Sequence, residues 1–424
     1  MNMYKPTTFV ASLTLLLLTE LTIEDDCIPN SNGQCLANPP GNKKVEVGEQ
    51  LTGAHGSHRY SKGANELWQH YEKLIRDAEA KYAKKSEELA GKTSCQLYTD
   101  LIQQDLFVFR NGIFKHMIDA AMPRGTLYQI INGKLYREKV CKFPARCAGV
   151  EHFLLKIADK LPDMELVINT SDWPQISAWF PDPIPLFSFS KTKDYVDITY
   201  PAWTFWEGGP AISLYPMGLG RWDLLRKSLI STAAKFPWEK KEAVAFFRGS
   251  RTSNERDNLI YLSRKRADLV DAQYTKNQAW KSEADTLGFP AAPEVSLEGH
   301  CKYKYLFNYR GVAASFRFKH LFLCNSLVFH VGDEWIEFFY PALRPWVHYI
   351  PVNKTATEEE LKSLIEFAQE NDDIAQRIAN RGYRFINLHL KMKDVNCYWN
   401  ELLLKYHKLL QYDIKLRDSV IQIN

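Results

Sequence analysis

Three stretches of the chain combine residue types that could do chemistry. In Asn169-Thr170-Ser171-Asp172-Trp173-Pro174 a carboxylate stands just past the apolar run Met164 to Asn169 (MELVIN), with Pro174 fixing the turn behind it. Ligands of open parallel sheets bind beyond the carboxyl ends of strands. A carboxylate there can accept the proton of a substrate hydroxyl, so Asp172 is the candidate general base and is expected to be buried. An N-cap aspartate is the plainer alternative. The second stretch, Phe247 to Arg256 (FRGSRTSNER), leads from an apolar run through a glycine and small hydroxyl residues to a helix start. Thr252 and Glu255 have the spacing of a capping box. Free N–H groups at a helix start suit a diphosphate, and Arg248, Arg251 and Arg256 add positive charge. The Gly-Lys-Ser/Thr ending of a Walker loop is missing. The third, Asn308 to Lys319 (NYRGVAASFRFK), repeats this design with Arg317 and Lys319. Either stretch alone reads equally well as a basic turn; together they point to a nucleotide diphosphate.

A fourth pattern interleaves aromatics with glycine, from Trp203 to Pro210 (WTFWEGGP) and from Tyr215 to Trp222 (YPMGLGRW). Such a stretch can wall an acceptor groove, although packed core is the plainer reading for at least half of its rings. There is no DxD pair to hold a metal on a nucleotide diphosphate, no GxSxG elbow and no HExxH. His152, His320, His330 and His348 are scattered and read as structural.

The elements that must position these residues follow from periodicity. Ala64 to Ala90 has Leu67, Tyr71, Leu74, Ala78 and Tyr82 at helical spacing among dense charge, which predicts an amphipathic surface helix. Thr126 to Ile131, Asn132-Gly133 and Lys134 to Glu138 predict a β-hairpin, because both turn residues tolerate positive φ. Further short apolar runs begin at Met164, Pro185, Ala243, Leu269, Tyr303, Ser326 and His348, with helical segments between most of them. Strands alternating with helices predict an α/β fold with two parallel sheets, the seam falling between Tyr200 and Trp238. A last helix, Asp394 to Leu416, has a stripe of Trp399, Leu402, Leu403, Tyr406, Leu409 and Leu410 that needs a partner surface.

The 424 residues are 45% hydrophobic and 25% charged, which excludes disorder, collagen-like repeats and coiled-coil arrays as the main architecture. Lys and Arg total 54 against 50 Asp and Glu, a net +4 too small to make nucleic acid or an anionic membrane the principal partner. Lys5 precedes the apolar run Phe9 to Leu18, too short to span a bilayer, and Glu20, Glu24, Asp25 and Asp26 follow. This reads as a secretory signal peptide rather than an anchor. Eight cysteines agree with an oxidising lumen. Cys141 and Cys147 can pair locally, and Cys301 and Cys324 bracket a second segment. Of Cys27, Cys35 and Cys95, one is expected to tie the N-terminal part to Cys397. No CxxC spacing supports zinc. Of the sequons at Asn169 and Asn353, the second is favoured as a glycan site, because a glycan on the first would crowd Asp172.

Taken in order from about Thr126 to Leu410, the blocks CKFPARCAGVEHF, TYPAWTFWEGGPA, GLGRWDLLR, FFRGSRTS, DAQYTKNQAWKS, CKYKYLFNYRGVAASFRFKHLFLC and VFHVGDEWIEFFYP closely resemble the Rumi-type protein O-glucosyltransferases. The resemblance implies a GT-B arrangement of two Rossmann-like domains with the active site in the cleft between them. After a signal peptide (1–22) come an acceptor-binding domain (23–210), a UDP-sugar-binding domain (211–390) and a C-terminal helix (391–424) that returns to the first domain. It further implies metal-independent, inverting transfer of glucose from UDP-glucose to serine in C-x-S-x-(P/A)-C of folded EGF-like repeats, as in Notch. The expected setting is the lumen of the endoplasmic reticulum, with a monomeric enzyme, no cofactor, and neither nucleic acid nor membrane as partner of the mature form. Asp172 matches the family's catalytic aspartate. The UDP-sugar contacts fall on Tyr215, Ser250, Arg256, Val312, Ala313, Ala314, Ser315, Phe316 and Arg317. The acceptor contacts fall on Lys142, Phe143, Pro144, Ala145 and Arg146, and on Ala211, Ile212, Ser213, Leu214, Tyr215, Pro216 and Met217. Members end in a KDEL-like signal, whereas this sequence ends Ser419-Val420-Ile421-Gln422-Ile423-Asn424, and Val140 stands where relatives are often acidic. UDP-xylose as donor, or a non-catalytic lectin or chaperone of the same shape, are the alternatives.

Overall fold

A computed structural model describes residues 62–88, 94–209, 214–215, 219–277 and 279–424. The expected signal peptide, Cys27 and Cys35 lie outside them. Helix α1 (Lys62–Glu88) is followed by α2 (Thr99–Phe107), α3 (Lys115–Ala121), the strands β1 (Thr126–Ile131) and β2 (Lys134–Glu138), α4 (Pro144–Ile157), and the strands β3 (Met164–Ile168), β4 (Leu186–Ser188) and β5 (Ile198–Thr199). Then come α5 (Trp222–Lys235), β6 (Glu242–Gly249), α6 (Asp257–Lys265), β7 (Val270–Tyr274), α7 (Leu297–His300), β8 (Tyr303–Tyr309), α8 (Phe318–Phe322), β9 (Leu327–Val331) and β10 (Ile350–Val352). The chain closes with α9 (Glu358–Glu370), α10 (Asp372–His389), α11 (Met392–His407) and β11 (Val420–Ile423).

The hairpin forms where the sequence places it, with Asn132 at φ 48° and Gly133 at φ 71°. The first sheet, in the order β11-β2-β1-β3-β4-β5, is not the all-parallel layer expected. Only β3, β4 and β5 run parallel; β1 is antiparallel to both β2 and β3, and β11 is antiparallel to β2. All five residues of β3 are buried, as a continuous apolar run requires. Loops rather than helices join β3 to β4 and β4 to β5, so the segment after Ile168 is free to build a site at the carboxyl end of the sheet.

The second sheet, β10-β9-β8-β6-β7, is parallel throughout. Its strands alternate cleanly between two faces. Ala245, Phe247, Tyr305, Phe307, Leu327 and Phe329 pack with residues of α1, α6, α9 and α10, whereas Phe246, Leu306 and Val328 join a core that continues through the first sheet. The two sheets therefore share one hydrophobic core.

The two ends of the described chain cross over. Helix α1, which the sequence assigns to the N-terminal part, packs on the second sheet's layer: Tyr71 stacks on Trp346 at 5.7 Å, and Ile75 is buried. Helix α11 returns to the first sheet, where Trp399, Leu402, Leu403 and Tyr406 are buried, the Tyr406 hydroxyl donates to the Glu165 carbonyl at 3.1 Å, and Cys397 is bonded to Cys95.

Candidate active site

The loop after β3 is organised by Asn169. Its buried side chain donates from Nδ2 to the Trp173 carbonyl at 2.7 Å and to Ser188 Oγ at 3.0 Å, while its Oδ1 accepts from the Ser171 amide at 2.9 Å. A glycan cannot occupy an atom so engaged, whereas Asn353 is exposed. The loop presents Asp172 at a bend with no helix behind it, which removes the N-cap reading. Its carboxylate is not buried: the side chain is 45% exposed and ion-paired with Arg146 Nη1 at 3.0 Å.

Arg146 comes from the loop closed by the Cys141–Cys147 disulfide, where Pro144 opens α4. The same Nη1 donates to the Thr170 carbonyl at 2.7 Å. Its guanidinium lies 4.5 Å from the Phe143 ring and 4.7 Å from the Trp203 ring. Lys142, Pro144 and Ala145 are exposed beside it. Trp203 and Phe205 are fully buried, so those rings are core, as the plainer reading had it. The nearby glycines serve close backbone approach: a Cβ on Gly149 of α4 would sit 2.7 Å from the Glu207 carbonyl and 2.8 Å from that of Trp203. Among the expected acceptor residues, Ala211, Ile212, Ser213, Pro216 and Met217 lie outside the described residues. Leu214 is exposed, and the Tyr215 hydroxyl donates to Glu298 at 3.0 Å and accepts from the Leu297 amide at 2.8 Å.

Past the carboxyl ends of β6 and β8 stand two arginines, Arg256 buried and Arg317 partly buried. Arg256, at the start of α6, donates to the main-chain carbonyls of Ser250 and Arg310, and its Nε has no partner. Arg317, at the start of α8, donates to the Arg248 carbonyl at 2.7 Å. Both guanidiniums lie against Phe247, at 5.5 and 5.6 Å from its ring. Burial first, and then the Arg317 charge, pushes Arg256 down to about 10; burial pushes Arg317 down to about 10 as well. Neither meets a carboxylate among the described residues. The arginines expected to help them are committed elsewhere: Arg248 pairs with Asp271 at 2.7 Å and Arg251 with Asp257 at 2.6 Å. The Thr252–Glu255 capping box does not form either. Ser253 precedes the short turn Asn254–Arg256 without a side-chain cap, because Glu255 turns to Arg310 at 2.9 Å.

In the loop before α8, Ala313, Ala314 and Ser315 are buried and Val312 is half-exposed. Ser315 Oγ donates to Asn308 Oδ1 at 2.7 Å, and Asn308 Nδ2 meets His330 Nδ1 at 2.8 Å. Phe316 packs on Phe189 at 4.9 Å and on Trp203 at 5.8 Å. Trp203 thus touches both the Arg146 guanidinium and the loop before α8. A second link, Trp173 edge-on to Trp335 at 4.7 Å, borders a small cavity lined by Arg310, Ala314, Ser315, His330, Glu334 and Trp335. These contacts link the loop after β3, through Arg146 and Trp203, to the loop before α8. Trp335 and Glu298 are not expected at the site from the sequence, and Asn308, which opens the third stretch, is named there without its tie to Ser315, because none of these shows its contacts in the sequence.

A half-exposed carboxylate past one sheet and arginines without a carboxylate partner past another are groups that could act as a base for a hydroxyl and a cradle for an anionic leaving group, the chemistry a glycosyl transfer needs. The chain belongs to glycosyl transferase family 90, whose model matches residues 90–424, and it sits among the Rumi-type members. It is 58% identical to the O-glucosyltransferase rumi homolog of Aedes aegypti over 354 residues, 83% of this chain and 87% of the relative. It is 60% identical to protein O-glucosyltransferase 1 of Bos taurus over 339 residues (79% and 86%), and 56% identical to O-glucosyltransferase rumi of Drosophila melanogaster over 334 residues (78% and 81%).

Proposed function

We propose that the enzyme transfers glucose from UDP-glucose to the serine of C-x-S-x-(P/A)-C in folded EGF-like repeats, with inversion and without a metal, in the lumen of the endoplasmic reticulum. The observation that carries this reading is the pair Arg256, buried, and Arg317, partly buried, which among the described residues hydrogen-bond main-chain carbonyls and no carboxylate. Fixed cations in a low-dielectric site can stabilise a departing diphosphate in the role a metal plays elsewhere. The names of the relatives support glucose as the sugar and protein as the acceptor.

The serine oxygen attacks the anomeric carbon from the face opposite UDP. Its proton passes to Asp172 as the new C–O bond forms and the bond to the diphosphate oxygen breaks, and UDP leaves with the electron pair against Arg256 and Arg317. Tyr215, Ser250 and the loop Val312 to Phe316 complete the donor site. The loop Lys142 to Arg146, with the stretch Ala211 to Met217, reads the acceptor, and the Cys141–Cys147 bond keeps that loop rigid.

The test is mass spectrometry of a folded EGF-like repeat incubated with the full enzyme and UDP-glucose or UDP-xylose, with and without EDTA. Glucosylation that survives EDTA and falls by roughly 10²–10⁴-fold in Asp172→Asn, while UDP still binds, is the expected result. A variant that kept more than about a tenth of the rate would remove Asp172 as the base. Preference for xylose would change the sugar alone, since one hydroxymethyl group is worth only about 1–3 kcal/mol in a pocket.

A further inference from the structure

We propose that Arg146 is a positioning residue for the catalytic base, fixing the orientation of Asp172 rather than serving only as an acceptor contact. The inference rests on the reading of Asp172 as the base. A half-exposed carboxylate on a loop has rotational freedom that a proton acceptor should not keep, because misplacing a reacting group by about 1 Å can cost 10²-fold in rate. The Arg146 side chain removes that freedom. A single nitrogen, Nη1, bridges the Thr170 carbonyl at 2.7 Å and Asp172 Oδ1 at 3.0 Å, which clips the two ends of the Thr170–Asp172 turn together. The ion pair makes its close contact at Oδ1, and the half-exposed carboxylate stays open to the incoming hydroxyl.

Arg146 is itself immobilised. Its guanidinium is held between the Phe143 and Trp203 rings, and its neighbour Cys147 is tied back to Cys141. Trp203 packs on Phe316, the residue next to Arg317, so the base is referenced through Arg146 and Trp203 to the donor-side loop. The distance between proton acceptor and leaving group is thereby set by packed rings and one ion pair rather than by the loop alone. An arginine suits this role better than a lysine, since its planar fork stacks on rings while it bonds in its own plane.

The experiment compares Arg146→Ala and Arg146→Lys in the full enzyme, each alone and combined with Asp172→Asn. Transfer to a folded EGF-like repeat gives kcat and acceptor KM, and UDP affinity checks that the fold is intact. The expected result is a kcat loss of roughly 10–100-fold in Arg146→Ala with unchanged UDP affinity, an intermediate loss in Arg146→Lys, and no further loss when Asp172 is already Asn. A rise in acceptor KM at unchanged kcat in both variants would overturn the proposal and leave Arg146 as a binding contact. A rise in kcat would overturn it too, by showing that the ion pair restrains the base. An Asp172→Asn enzyme that kept its rate would instead defeat the reading of the base, and this inference with it.

Discussion

The ion pairs around the first sheet and the two arginines Arg256 and Arg317 past the second handle buried charge differently, although Arg248 in the second sheet is itself paired with Asp271. Around the first sheet, largely buried cations meet carboxylates: Arg137 and Glu151 at 2.7 Å, Lys191 and Asp105 at 2.6 Å, Arg417 and Glu165 at 2.7 Å. Past the second sheet, Arg256 and Arg317 have carbonyl rather than carboxylate partners among the described residues and sit close enough for one charge to depress the other. Charge that is neutralised within the chain serves folding; charge left uncompensated has a desolvation cost that an incoming anion can offset. A lone buried cation is not sufficient to mark a site. Lys241, at the opposite end of β6, is also satisfied by carbonyls, those of Cys301 and Cys324, but it stands alone and away from the carboxyl ends of the strands. Two mutually repelling cations past the carboxyl ends of the strands are the distinguishing feature.

The contrast can be broken from either side. Arg417→Met should destabilise the enzyme by about 3–5 kcal/mol in urea titrations, because it strands the buried Glu165 carboxylate without a cation. Arg317→Gln should do the reverse: the free enzyme keeps or gains stability, while UDP affinity measured by calorimetry drops by roughly 10–100-fold, as expected for losing a charged hydrogen-bond donor worth about 1.5–3 kcal/mol. Loss of stability with intact UDP binding would dissolve the distinction between the two kinds of burial.

A graded effect concerns acid. Burial pushes His300 and His348 down to about 3 and His330 to about 4, and holds His320 well below its ordinary value; all four belong to the second half. In the unfolded chain these rings bind protons below about pH 6.5, so unfolding takes up protons and stability falls as pH drops from about 6.5 towards 4. Thermal midpoints across that window should decline with acidification, and a flat or rising profile would show that these rings are accessible to protons in the folded state. His152 in α4 shifts the same way, to about 4, but is only partly buried where it stacks on Trp206 at 3.4 Å, so it should contribute less.

Much of this was legible in the sequence, for identifiable reasons. The hairpin declared itself through Asn132-Gly133, and the parallel strands through continuous apolar runs. Strand β5 is only two residues long, and β11 pairs with a partner some 280 residues away, so no local pattern announces either. The stripe of α1 shows that it covers something, but not that the second sheet is what it covers. At the site, residue types pointed to Asp172, Arg256 and Arg317. Pairing did not show: nothing in the spacing reveals that Glu255 goes to Arg310 rather than to a cap, or that Arg146 reaches Asp172. Glycines interleaved with aromatics looked like groove walls because a close backbone approach and a flat wall share one composition.

The return of α11 and β11 to the first sheet also orders events in time during biosynthesis. Cys141 and Cys147 are six residues apart and can bond almost as soon as both are made, whereas Cys95 precedes Cys397 by 302 residues. At roughly 5–20 residues per second, Cys95 waits about 15–60 s for its partner, and the edge of β2 stays uncovered longer still. The half that emerges first is thus the last to be finished, and the second sheet can close before the sheet that precedes it. Until then Cys95 is a thiol within reach of the cysteines made after it, so faithful maturation depends on keeping that sulfur unspent until the last tenth of the chain arrives.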